Sequence, residues 1–176
     1  MSSISFESKL LKIGSWTLIR LPISESTKLP SRGMVMVGGT INGLSIQTPL
    51  EPDGKGSHWF RLDQSTCKTI KAEAGDTVNL TMEPIKEWPE PDIPEDLKLS
   101  LQNSPQAQTV WLSTTPIARW DWIRWINSTK NPEIRKKRIS TAISKLKSGM
   151  KRPCCFNRSM CTDPYVSNNG VLIEQA

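Results

Sequence analysis

The chain has 176 residues, 36% of them hydrophobic, and a net charge of +6. That is enough for one domain, or one domain with a helical appendage, around a real core. No apolar run approaches the ~20 residues of a membrane span, which excludes a chain that crosses a bilayer as a helix. Charge is uneven. Arg119 to Arg152 carries eleven bases against two acids, Asp121 and Glu133, a net +9 that leaves −3 for the rest and favours an anionic partner there.

The N-terminus, MSSISFESKLLKIGS, alternates like a strand and lacks the continuous apolar stretch of a signal peptide. The expected location is therefore cytoplasmic, with four reduced cysteines. Strands are predicted over Ser3 to Ile13, Trp16 to Leu21, Met34 to Asn42 and Leu44 to Thr48. Asn42-Gly43 forms the two-residue hairpin turn, since both of its positions need positive φ. The sequence EPDGKGSHWF then gives a loop with Lys55 between glycines, followed by a strand from His58 to Leu62. Asp63 caps a short helix through Ile70, in which Cys67 reads as a small buried hydrophobe. A last alternating strand, Val78, Leu80 and Met82, completes six strands over residues 1–83. Such a set suits a small closed β-barrel, because closure removes exposed edges.

Residues 84–94 read as a proline-rich acidic linker, solvated rather than docked. Helical patterning follows over residues 95–150. A weak turn of helix covers Glu95 to Leu101. Ser104-Pro105, Thr115-Pro116 and Asn131-Pro132 each pair a capping side chain with a proline preset for the first turn, predicting helices at 105–113, 116–129 and 132–148. Gly149 stops the last of them. The fold class is α+β: a barrel, then a helical region packed on it, then a cysteine-containing tail at 151–176.

On the last predicted helix Arg135 shares a stripe with Ile139, Ala142, Ile143, Leu146 and Met150, and Arg138 sits at its edge. A guanidinium there needs a carboxylate, and Asp121 is the nearest acid by sequence. Trp120 and Arg124, four apart, can stack on each other or hold an anion. Candidate contacts for an anion or a partner are Lys55, Trp120, Arg124, Arg135, Lys136, Lys137 and Arg138. The lone histidine, His58, reads as structural. Cys154, Cys155 and Cys161, flanked by Arg152 and Arg158 in an exposed or loosely docked tail, are candidate redox thiols. Their spacing is no zinc-finger pattern, so no metal is assigned. There is no cofactor motif and no complete catalytic constellation.

GGTINGLSIQTPLEPDGKGSHWF followed by EAGDTVNLTME resembles a barrel domain of unknown function placed with double-split β-barrels. WIRWINSTKNPEIRKKRISTAISKLKSGMK resembles the helical region called bacteriocin-protection, YdeI or OmpD-associated. Relatives of that region commonly carry a histidine and arginine pair where this chain reads TTPIARWD. The resemblance implies a soluble bacterial protein linked to bacteriocin protection or envelope stress, without an established activity. Two functions stand: a non-enzymatic binding or protection protein whose partner is an unidentified protein or anionic ligand, and a nucleic-acid-binding protein touching phosphates through Lys136, Lys137, Arg138, Lys145 and Lys147.

Overall fold

Alternation across the N-terminal half produces seven strands in one antiparallel sheet of a computed structural model, which describes residues 3–153, 163–168 and 171–173. In chain order they are β1 (Ile4–Lys9), β2 (Leu11–Ile13), β3 (Trp16–Arg20), β4 (Val35–Ile41), β5 (Leu44–Pro52), β6 (His58–Leu62) and β7 (Thr77–Pro84). A four-residue helix, α1 (Ile23–Ser26), follows β3, and α2 (Gln64–Ile70) follows β6. Sheet order is β1-β7-β4-β5-β6-β3-β2. Asn42 and Gly43 have φ of +46° and +84°, as the hairpin turn between β4 and β5 demands.

The sheet curls into a half-barrel but stays open, which corrects the closed barrel expected from sequence. The reason lies at Leu10. The predicted first strand breaks there, and its halves become the two outermost strands. Leu10 donates its N–H to Asp76 and accepts from Gly75, at 2.9 and 2.8 Å, so its backbone serves the turn before β7. Where a closing ladder would run, the Ser8 hydroxyl donates to the Arg20 carbonyl at 3.0 Å. Ile4, Ile19, Val37, Leu50, Phe60, Val78, Leu80 and Met82 form the core inside the curl. Cys67 is half-buried against that core rather than inside it.

The described residues divide into two compact units between Lys86 and Glu87, and those from Tyr165 onward return to the sheet unit. There β8 (Ser167–Asn168) pairs with β9 (Val171–Leu172). Val166 and Leu172 pack with Leu18 and Trp59, and the Leu172 N–H reaches the Asp53 carbonyl at 2.8 Å. These residues are docked, unlike the loose tail expected from their polar composition. Two buried apolar side chains outweighed it.

The second unit holds α3 (Glu95–Gln102), α4 (Pro105–Ser113), α5 (Pro116–Asn127) and α6 (Pro132–Lys147). Proline opens the last three, as predicted. Its own core joins Leu97, Leu101, Trp111, Trp122, Ile126, Ile139, Ala142 and Leu146. Met150 leaves the expected stripe and is exposed, because α6 ends first and Gly149 turns the chain at φ +92°. From Glu87 on, the acidic linker is docked within this unit instead of solvated, while Pro84 ends β7 and the Ile85 N–H bonds to the Met36 carbonyl in the sheet unit. Glu90 pairs with the buried Arg119, whose other nitrogen caps α4 through the Trp111 and Thr114 carbonyls at 3.1 and 2.6 Å.

Caps separate two helix starts that look alike in sequence. Asn131 accepts from the Glu133 and Ile134 N–H groups at 2.9 and 3.3 Å. Ser104 makes no side-chain cap bond, and its buried hydroxyl has no hydrogen-bond partner. Asn131→Ala should therefore cost about 1 kcal/mol, whereas Ser104→Ala should cost nothing measurable. Denaturant unfolding of the two variants checks this, and equal losses would contradict the cap assignment.

Candidate functional site

Along α6, Lys136, Ser140, Ser144 and Lys147 recur at helical spacing beside the apolar stripe. Across from them, the open face of α3 and the start of α4 supply Ser100, Asn103 and Ser104. Together with Asp96, Ile139 and Ile143 these residues line an open groove of about 630 Å³ within the helical unit. Its floor is two isoleucines and its walls are hydroxyls, one amide and two ammonium groups. One end is fixed by Arg135, which donates to both Asp96 carboxylate oxygens at 2.7 and 2.9 Å and to the Asn127 side-chain amide oxygen at 2.7 Å. The hydrogen bonds from Arg135 hold the Asp96 carboxyl below its ordinary value of 3.8, against the upward push of partial burial. The single carboxylate in the lining is thus already neutralised, and the groove presents net positive charge.

No groove hydroxyl is hydrogen-bonded to a lysine or histidine among the described residues, the arrangement that nucleophilic chemistry needs. Sequence marks Ser104 only as a helix cap and does not single out Ser100, Ser140 and Ser144. The available signal was the spacing of Lys136, Ser140, Ser144 and Lys147 on one face of a helix whose neighbouring stripe is apolar.

The structure distributes the sequence candidates. Arg135 pairs with Asp96 rather than with Asp121, because α3 packs on α6, and Asp121 lies buried within α5. Arg138 donates to the Trp125 carbonyl and the Ser128 hydroxyl, both at 2.8 Å, with its guanidinium 5.5 Å from the Trp125 ring centre. Trp120 gives its indole N–H to the Pro89 carbonyl at 2.9 Å and meets Trp88 edge-on. Arg124 is buried in α5. Lys136 and Lys137 are exposed, and of these only Lys136 lines the groove. Far along the chain, the loop at Lys55 closes on its own carboxylate: Asp53 accepts from the Lys55 and Ser57 N–H groups at 2.7 and 2.9 Å. Cys154, Cys155 and Cys161 lie outside the described residues.

Because Arg135 holds two helices together and Lys136 only faces Glu133 at 4.0 Å, the two neighbours should behave differently. Arg135→Ala should cost roughly 1 kcal/mol, discounted for solvent around Asp96, and Lys136→Ala under about 0.5 kcal/mol. Thermal melts of both variants decide it; equal losses would mean that the Asp96 pair contributes nothing. The lowered Asp96 pKa means that this stabilisation is full above 3.8 and is lost as pH falls through the lower folded value.

His58 is fully buried in the sheet unit. Its Nε2 lies 2.8 Å from the Gly33 carbonyl and Nδ1 2.6 Å from the Ser26 hydroxyl. Since a carbonyl only accepts, Nε2 carries the proton and the Ser26 hydroxyl donates to Nδ1, so the ring is neutral. Burial holds its pKa below 6.5, chiefly by desolvating the charged form. The folded state therefore loses stability as pH falls below 6.5, until the ring is protonated in the folded state as well. His58→Gln should flatten that slope in denaturant melts between pH 7 and 5. An unchanged slope would mean that other groups set it.

Residues 6–82 match the family model of a domain of unknown function (DUF1905), and residues 90–149 match the one described as bacteriocin-protection, YdeI or OmpD-associated. The groove lies wholly inside the second match. No curated protein matches the chain.

Proposed function

We propose that this chain, a DUF1905 domain followed by a YdeI/OmpD-associated helical region, is a non-enzymatic binding protein whose ligand occupies the groove between α3, α4 and α6. The observation that supports this is the groove itself: volume for a small molecule, an apolar floor and converging polar groups, the usual anatomy of a ligand site. The family's association with bacteriocin protection fits a role exerted through binding rather than turnover. Binding to nucleic acid has no support. Arg135 and Arg138, two of the cations such a surface would use, are committed to internal partners. Among the described residues no helix is long and apolar enough to cross a membrane.

A thermal-shift screen across small-molecule classes tests the reading. It compares the native chain with Ser144→Trp, an exposed position where an indole fills the groove without touching the core. At least one class should raise the melting temperature of the native chain and leave the filled variant unmoved. Equal shifts in both proteins, or no shift with any class, would contradict it.

A further inference from the structure

Taking the groove as the ligand site, we infer that its ligand is the phosphate monoester of a small hydroxylated molecule, with the phosphate at the Ser104–Lys147 end. Three observations converge. First, the charges that face the groove are unequal. Lys136 and Lys147 offer ammonium groups, while Asp96 is held by Arg135. Lys147 has no ion-pair partner among the described residues, and Lys136 has only the exposed Glu133 at 4.0 Å. An anion is favoured over a cation or a neutral molecule.

Second, α4 begins at the groove without its cap. The first N–H groups of a helix lack partners within it and carry partial positive charge, which suits a phosphate. Ser104 would ordinarily cover them, yet it makes no cap bond. Ser104 is 7% exposed, lines the groove, and its hydroxyl has no partner. A buried hydroxyl without a partner is costly, and a ligand seated at Ser104 would supply one. Asp96 meets Arg135 at one end of the groove, and α3 and α6 both run onward from that pair. Ser104 and Lys147 follow that pair by eight and twelve residues along the chain, and we place the phosphate between them.

Third, the rest of the lining suits a hydroxylated body. Ser100, Ser140 and Ser144 supply three hydroxyls that donate or accept, and Ile139 and Ile143 supply an apolar floor for a ring face. A groove of about 630 Å³ holds more than a bare phosphate.

Calorimetric titration of the full chain at low salt, with ribose 5-phosphate, ribose and inorganic phosphate as probes, tests this. The ester should bind more tightly than either part. Lys147→Ala should weaken it about threefold, as for an exposed charge contact. Ser104→Ala should weaken it about ten- to a hundredfold, as for one hydrogen bond to a charged group, with an unchanged melt showing that the fold is intact. Lys137→Ala, on α6 but outside the groove, should bind as the native chain does. Ribose binding as tightly as the ester would overturn the phosphate, and inorganic phosphate binding as tightly would overturn the hydroxylated body. Affinity indifferent to both Lys147→Ala and Ser104→Ala would overturn the placement. If the ester fails while another class is lost on filling the groove with Ser144→Trp, the phosphate inference falls and the groove reading stands. If no class binds, both fall.

Discussion

Gly39→Ala should destabilise the sheet unit by at least about 3 kcal/mol, and Gly38→Ala by no more than about 1 kcal/mol. The two glycines are adjacent on β4 but face different surroundings. A Cβ on Gly39 would lie 1.9 Å from the Thr81 carbonyl oxygen and 2.7 Å from the Met82 Cα, so β4 and β7 would have to separate at their registered pair Gly39–Met82. A Cβ on Gly38 meets the Ile85 side chain at 3.5 Å and the Ile46 carbonyl oxygen at 4.0 Å, both ordinary contacts. Backbone cannot yield as a side-chain tip can, and parting these strands breaks an interior ladder of the sheet. Urea unfolding of the pair measures it. Equal losses would mean that β4 and β7 do not approach as described.

Trp122→Ala should cost about 3–5 kcal/mol in the helical unit, against about 1–2 kcal/mol for Trp120→Ala. Trp122 is fully buried, packs edge-on against Trp125 with ring centres 6.2 Å apart, and donates its indole N–H to the Lys151 carbonyl at 3.0 Å. Its loss leaves a cavity the size of an indole, which close-packed helices fill only in part. Trp120 is half-buried, with one hydrogen bond to Pro89 and one ring neighbour. Denaturant melts of both variants provide the comparison. A Trp122→Ala loss no larger than that of Trp120→Ala would put the core of this unit elsewhere.

Local signals made much of the architecture legible. Asn42-Gly43 placed the hairpin because only certain residues accept positive φ at both positions. The three proline-initiated helices were readable because the cap, the fixed φ and the apolar period agree. The open seam was not readable. Whether a sheet closes depends on where the backbone of Leu10 spends its hydrogen bonds, and a patterned strand does not reveal that. The ribbon of β8 and β9 was missed because its few apolar residues sit in polar sequence, and only its docking on Leu18 and Trp59 makes it a structure.

At the candidate site, attention to cations and aromatics found Arg135 and Lys136 but assigned Arg135 to Asp121. The nearest acid on the preceding helix was not the partner, since tertiary packing brings α3, remote in sequence, against α6. Serines pass unnoticed in sequence, being common surface residues. Ser104 stands out only in three dimensions, as a cap that does not cap.

Binding of a small ligand between α3, α4 and α6 is what we propose for this chain. Amide NMR of the native chain, titrated with whichever class raises its melting temperature, tests this most directly. Signal changes should concentrate at Ser100, Asn103 and Ser104 and at Ser140, Ile143, Ser144 and Lys147. Changes centred on the Lys55 loop or on Lys137, with those groove signals unmoved, would contradict it.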